Sequence, residues 1–255
     1  GADWDEWEER KKAARGGPRI LIATTIGGNS YLTPMETLFA VALTLRGAEV
    51  DFLLCDKTLT ACQNAYGSDL EAQQKFLAEG PAICDWGYSC GQRAMEPLGL
   101  LVHKLGDYLS LDEKNELDQI SNATRLEEID SFVFEDIPVG ESVSSGALRF
   151  FGRGDFEGES LASPVIRQFF QSALYSVRAL KNLYKTIEYD HILVNQGFYV
   201  PQGVQVEIVK KMQARLVCWD VSYKQNSVTI CHSNTYFRTL VDTAFDDWQK
   251  QEWNT

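Results

Sequence analysis

Apolar and polar positions follow two different rhythms along this chain. Residues 3–15 are charged and Trp-containing, with Glu6, Glu8 and Glu9 at helical spacing from Arg10-Lys11-Lys12, and Gly16-Gly17-Pro18 stops the segment. Arg19-Ile20-Leu21-Ile22-Ala23-Thr24 is an apolar run of strand length, followed by the loop Ile26-Gly27-Gly28-Asn29-Ser30. Pro34 then opens a helix in which Leu38, Phe39, Val41, Ala42 and Leu45 form a broad buried face. Arg46-Gly47 ends that helix, and Glu49-Val50-Asp51-Phe52-Leu53-Leu54 makes a second strand. Strand, glycine loop, helix, glycine and strand in this order form a βαβ unit.

The middle of the chain changes character. Residues 68–126 pattern as helices with few β-branched runs, and Phe132-Val133-Phe134 is a brief strand. A long helix is predicted from Pro164 to Tyr189, with Ser163 as its N-cap and Ile166, Phe170, Leu174, Val177, Leu180 and Tyr184 on one face. The last third returns to alternation, with strands at 191–194, 216–219 and 228–231 and a helix over 201–212. The expected architecture is α/β: a charged helix at 1–17, then one parallel-sheet domain over 18–255 carrying a helical insertion at about 65–190.

Composition narrows the class. With 44% hydrophobic residues and only 19 Gly and 7 Pro in 255 residues, low-complexity and disordered classes are excluded. No run approaches the 18 or so apolar residues of a membrane span, and the acidic start (Asp3, Asp5, Glu6) is unlike a signal peptide, so the expected location is cytoplasmic. The 36 acidic against 24 basic residues leave a net charge of −12 and no dense basic run, which argues against a nucleic-acid partner. Cys55 and Cys62 are separated by six residues and Cys84 and Cys90 by five, wider than tight metal-binding spacings. Reduced, half-buried thiols are therefore expected and no metal site is assigned.

Ligands of open parallel sheets bind outside the carboxyl ends of the strands. That rule selects the loops at 25–33, 55–57, 195–202 and 220–224. Gly27-Gly28-Asn29 lacks the G-x-G-x-x-G spacing, and the second strand ends in Cys55 and Asp56 rather than a ribose-binding acid, so no dinucleotide cofactor is expected. Those residues either bring backbone N–H groups to a substrate at the helix N-terminus or simply permit a turn. Asn195, Gln196, Gly197 and Tyr199 present amides and a phenol suited to hydroxyl-rich ligands. Of three histidines, His103 sits in a helical apolar context and His191 begins a strand, which leaves His232 as the candidate general base. Glu141, beside Ser142, Ser144 and Ser145, lies at a helix start and is either a second candidate or a carboxylate favoured by the helix dipole. No Ser-His-Asp motif, HExxH, Walker loop or kinase signature is present.

The stretches 197–203, Trp219-Asp220-Val221-Ser222-Tyr223-Lys224 and His232-Ser233-Asn234-Thr235-Tyr236, in this order, resemble bacterial glycosyltransferases related to capsule-polysaccharide biosynthesis proteins. Residues 19–54, and Asp136-Ile137-Pro138-Val139-Gly140 with Arg149, are similar to the same proteins. The resemblance implies a Rossmann-like sheet forming the N-terminal, acceptor-side half of a GT-B enzyme. It implies a saccharide acceptor bound here and a nucleotide-sugar donor held mainly by a C-terminal domain beyond residue 255, with no catalytic metal or cofactor. It points to Gly27, Gly28, Asn29, Asn195, Gln196, Gly197, Tyr199, Tyr223 and Lys224 for substrate binding. His232, Glu141 and Asp56 are the candidates for taking the acceptor proton, although Cys231 stands where the family has serine. Two other classes remain open: a sugar-nucleotide epimerase on the same fold, and a non-catalytic glycan- or protein-binding domain. In the latter, Trp4, Trp7, Trp248 and Trp253 mark an interface; the preferred reading of these tryptophans is core packing under terminal helices.

Overall fold

Successive residues of a strand point to opposite faces, and in β1 (Arg19–Thr25) both faces are apolar: Ile20 and Ile22 enter one core, Leu21 and Ala23 another. The computed structural model describes residues 2–235, 237 and 238. Trp248 and Trp253 lie outside the described residues.

Two-sided burial marks a strand covered by helices on both faces, and the other elements follow it. After α1 (Ala2–Ala13) and β1 come α2 (Leu32–Leu45), β2 (Glu49–Leu54), α3 (Leu70–Glu79), α4 (Cys84–Met95) and β3 (Leu101–Lys104). Next are α5 (Leu111–Ala123), α6 (Leu126–Ile129), a small hairpin of β4 (Val133–Phe134) and β5 (Ile137–Pro138), α7 (Gly140–Phe151) and α8 (Ala162–Thr186). The chain ends its described course through β6 (His191–Asn195), α9 (Gln202–Val209), β7 (Arg215–Val221) and β8 (Val228–His232). The central sheet has the order β3-β2-β1-β6-β7-β8, parallel except for β8. Counting only these six strands, this is the doubly wound order 3-2-1-4-5-6, a Rossmann-like α/β fold. Among the described residues no helix is long and apolar enough to cross a membrane.

One face is covered by α2 and α4, around Ile22, Leu32, Phe52, Leu54, Met95 and Trp219. Helix α1 is fixed to this side through Trp7, whose indole donates to the Leu98 carbonyl at 3.0 Å, whereas Trp4 stays exposed. The opposite face is the larger core, organised around α8, which touches α3, α5, α6, α7 and α9. Phe169, Phe170, Leu174, Val177, Leu180 and Leu183 give α8 its buried stripe at helical spacing.

The structure departs from the expected elements at three places. His103 lies in strand β3, not in a helix, so the sheet gains an edge strand inside the stretch read as mostly helical. Helix α8 begins at Ala162 with Leu161 preceding it, which puts Ser163 inside the first turn and not at the cap. In α2 the buried positions are Leu32, Thr33, Glu36, Ala40 and Thr44, while Leu38 and Leu45 face solvent. Glu36, on the inward face of α2, reaches the side chains of Thr24 in β1 and Trp219 in β7, which apolar periodicity does not register.

His103 belongs to a buried polar network on the β1–β2–β3 side of the sheet. Asp51 Oδ2 accepts from Arg19 Nη2 at 2.8 Å and from the Tyr189 hydroxyl at 2.9 Å. His103 Nε2 stands 3.0 Å from the Tyr189 oxygen, and its Nδ1 is 2.6 Å from the Tyr108 hydroxyl. Burial alone would raise the Asp51 carboxyl, but His103, Tyr189 and the Arg19 guanidinium outweigh it and hold it below its ordinary range. A carboxylate depressed in the folded state contributes stability above its unfolded value, and that contribution is lost as pH falls through the folded value. Asp51→Asn should therefore cost roughly 2 kcal/mol at neutral pH. In thermal melts the gap to wild type should close below about pH 4; a gap independent of pH would contradict this account.

Candidate functional site

The direction of strand progression reverses between β1 and β6, so the crevice of this fold opens at their carboxyl ends. The backbone is unusual there. Thr25, just after the body of β1, Lys57, after β2, and Gln196, after β6, all take left-handed conformations, with φ of 66°, 70° and 55°. Non-glycine residues in this region cost of order 1 kcal/mol or more and concentrate where a fold holds a site.

The first loop does not leave its glycines open to a ligand. A Cβ at Gly27 would overlap the Gly87 carbonyl oxygen and come within 2.9 Å of the Gly91 Cα. Gly28 has φ +73°, and its Cβ would meet the Gly87 Cα at 2.8 Å and the Trp86 ring. Gly27 and Gly28 therefore serve a backbone-to-backbone contact with α4, and both are buried. Asn29 closes the helix start: its Oδ1 accepts from the N–H groups of Tyr31 and Leu32 at 3.1 and 3.2 Å. The Thr33 N–H goes to the Asn29 carbonyl, position 34 is proline, and the Met35 N–H goes to the Tyr31 carbonyl. The α2 N-terminus consequently has every early donor engaged and offers none to a diphosphate.

Beneath this loop lies a buried polar cluster that knits β1, α2, β6, α9 and β7 together. The Thr24 hydroxyl donates to Glu36 Oε1 and accepts from the Asn195 N–H at 3.0 Å. Trp219 Nε1 donates to the same Glu36 oxygen at 3.3 Å. Asn195 Nδ2 donates to the Trp219 carbonyl at 3.1 Å, and Gln202 Nε2 to the Thr24 carbonyl at 2.8 Å. Glu36 is only 1% exposed and has no cation beside it among the described residues; burial pushes its carboxyl up to about 8, against the pull of the Thr24 and Trp219 hydrogen bonds.

Above the cluster a ring of side chains from five segments gathers at the crevice mouth. Arg149, from α7, donates through Nε to the Gln63 carbonyl at 2.9 Å and through Nη2 to the Tyr66 hydroxyl. Its guanidinium carbon lies 4.9 Å from the Tyr66 ring centre and 5.2 Å from that of Tyr199. Tyr31, at the start of α2, completes the aromatic rim: its phenol is raised by burial and then by the charge of Asp220, with Arg149 acting in the opposite direction. Asp220, near the end of β7, is itself pushed up by burial, and Gln196 Nε2 lies 3.3 Å from its Oδ2. The rim can stack a ring-shaped ligand, hydrogen-bond its hydroxyls and take a proton at Asp220.

The structure brings some of the expected residues to this mouth and places others elsewhere. Tyr199, Gln196 and Asn195 belong to it or to its floor. Gly197 is buried, and a Cβ there would strike Val206 and Thr235. Tyr223 and Lys224 stand in the β7–β8 turn at the same edge of the sheet, Tyr223 entirely in solvent. The three expected proton acceptors do not converge. Asp56 Oδ1 already accepts from the Gly106 N–H at 2.9 Å and the Thr58 hydroxyl at 2.7 Å. Glu141 is ion-paired with Arg238 in a separate 370 Å³ cavity beside Gly197, Lys210 and Asn234. His232 pairs with Val217 because β8 runs antiparallel, which carries it down the sheet away from the carboxyl ends. Glu36 and Tyr66 carry no signal in the sequence reading, Tyr31 and Asp220 fall within the selected loops 25–33 and 220–224 without a role of their own, and Arg149 enters only through the family resemblance.

The cysteines also regroup. Cys55, Cys62 and Cys84 line one small cavity of about 40 Å³ under the first loop, while Cys218 sits opposite Cys231 across β7 and β8. All six are free thiols, and among the described residues no group of three or more ligands is placed to hold a metal. Burial pushes Cys62 up to about 12, the behaviour of an inert packed thiol.

Two outcomes follow from these contacts. Gly27→Ala should destabilise the chain by about 1–3 kcal/mol in urea titrations, whereas Gly154→Ala, with open space around it, should change little; equal effects would remove the close-approach role. For Glu36 the folded value lies above the unfolded one, so the folded state holds a proton that the unfolded chain releases, and stability falls as pH rises from about 4.5 to about 8. Glu36→Gln should match wild type near pH 5 and gain on it by roughly 1.4 kcal/mol per pH unit up to about pH 8. A constant difference across that range would mean the carboxyl is already ionised.

Compared with known proteins, the chain matches no family model and no curated protein.

Proposed function

We propose that this chain is the acceptor-side domain of a glycosyltransferase of GT-B type. It would bind a saccharide at the mouth formed by Tyr31, Tyr66, Arg149, Tyr199 and Asp220, for extension in polysaccharide biosynthesis. The observation that carries the proposal is the convergence of three tyrosines, an arginine and a carboxyl at the carboxyl ends of β1, β6 and β7. Sugars present flat apolar C–H faces and a rim of hydroxyls, and tyrosine rings beside amides and a carboxyl match both.

The fully engaged α2 N-terminus supports the same division of labour. A nucleotide-sugar diphosphate needs free N–H donors or a cation cluster, and the first loop supplies neither, so the donor belongs to another domain. The same feature weighs against a sugar-nucleotide epimerase, which on this fold would hold a dinucleotide at that helix start. Within the mouth, Asp220 takes the place of His232, Asp56 and Glu141 as general base. It faces the tyrosine rim, and burial raises its proton affinity above that of an ordinary carboxylate.

Neutral oligosaccharides and nucleotide sugars, titrated separately into the 255-residue chain and followed by thermal shift and NMR, test this directly. Saccharides should raise Tm and perturb Tyr31, Tyr66 and Tyr199, and Tyr199→Ala should weaken binding by about tenfold. Stabilisation by nucleotide sugars without saccharides would overturn the assignment of this domain to the acceptor. In a turnover assay of the complete enzyme, Asp220→Asn should lower kcat by about a hundredfold or more while KM for the acceptor moves little. Undiminished kcat would remove Asp220 from the chemistry.

A further inference from the structure

We infer that the ligand at the crevice mouth is anionic, a sugar bearing a carboxylate or a phosphate, and that Arg149 receives its charge. This rests on the saccharide-binding proposal above and narrows it.

The inference starts from what Arg149 lacks. The chain carries 36 acidic residues against 24 basic ones, so carboxylates are plentiful. Several arginines elsewhere in the fold are neutralised: Arg19 by Asp51, Arg153 by Glu159, Arg178 by Glu113, Glu116 and Glu135, and Arg238 by Glu141. Arg149 makes no ion pair with any described residue. Its partners are a backbone carbonyl, a phenol and the faces of two tyrosine rings, none of which cancels its charge.

Its geometry is prepared as well as unpaired. A guanidinium has five N–H donors in a fixed plane. One is tied to Gln63 and one to Tyr66, and Nη1 has no partner among the described residues. The Gln63 anchor is itself fixed, because its N–H donates to the Val200 carbonyl at 3.2 Å. Flanking rings hold the plane and displace water from its faces, which strengthens a charge-assisted bond to an incoming carboxylate or phosphate. Tyr66 is 59% exposed and Tyr31 38% exposed, so the rings beside the cation are open to a ligand. In a protein of net charge −12 the long-range field repels anions, so selection of an acidic sugar has to come from one local cation at contact distance. Arg149 is that cation. A neutral sugar would leave its free donors to water and gain only the ring contacts.

Glucose, glucuronate, glucose 1-phosphate and inorganic phosphate, each titrated into the 255-residue chain by NMR at low and high salt, test the inference. Glucuronate or glucose 1-phosphate should bind at least about tenfold more tightly than glucose in low salt, and the advantage should shrink as salt rises. The preferred one of the two identifies whether a carboxylate or a phosphate is read. Arg149→Met should bring the ratio of acidic to neutral affinity close to one, with Arg149→Lys keeping part of it. Should Arg149→Met fold poorly, the salt dependence of the wild-type ratio decides alone. Glucose binding as tightly as both acidic sugars overturns the inference while leaving the saccharide crevice in place. Inorganic phosphate binding as tightly as glucose 1-phosphate also overturns it, because the tyrosines then contribute nothing. Failure of all four to bind overturns the crevice itself along with its charge preference.

Discussion

Two stretches of backbone meet at Gly27 and Gly28 on one side and at Gly87 and Gly91 on the other, closer than any side chain allows. The rest of the carboxyl edge is arranged around this contact. It seats α4 over the first loop, closes the position where this fold ordinarily receives phosphates, and encloses the thiol-lined cavity below. With the loop sealed, the accessible chemistry moves sideways, to the segments after β2, β6 and β7 and to α7. The tyrosine and arginine rim is built from those segments together with Tyr31 at the start of α2.

The two buried carboxyls illustrate how surroundings, not residue type, decide protonation. Asp51 has a guanidinium, a histidine and a phenol around it, and the three together keep it charged inside the sheet. Glu36 is buried as deeply but receives only a hydroxyl and an indole N–H, which do not balance a full negative charge. One carboxyl ties the sheet together as an ion; the other does so as a neutral hydrogen-bonding group. The ionic network lies on the β1–β2–β3 side and the neutral one beneath the crevice.

Much of the fold was legible in the sequence for a simple reason. Strands buried on both faces must be continuous apolar runs, and β1, β2, β6 and β7 all read that way. Strand β3 escaped because it lies at the sheet edge, with Leu101 and Lys104 facing solvent and His103 facing inward, so neither a run nor a helical stripe marks it. The face of α2 was misjudged because its inward positions include Thr33, Glu36 and Thr44. The site divides the same way. Gln196 and Tyr199 follow directly from the rule that ligands gather where parallel strands end. Tyr66 and Arg149 are joined only by tertiary folding and have no local signature, while His232 looked suitable until the antiparallel turn of β8 reversed its direction.

The wide scattering of the rim along the chain has a consequence for how the protein holds together. Tyr31, Tyr66, Arg149, Tyr199 and Asp220 come from the first helix after the sheet begins through to its last parallel strand, so no short fragment of the chain contains the mouth. Every loop between them must close before the five meet, and the entropy of that closure is borne by the two hydrophobic cores. A ligand that bridges the rim is thus a non-covalent cross-link between the βαβ unit at the start of the chain and the strands at its end. Its binding energy is shared by the whole sheet and is not confined to the loops it touches.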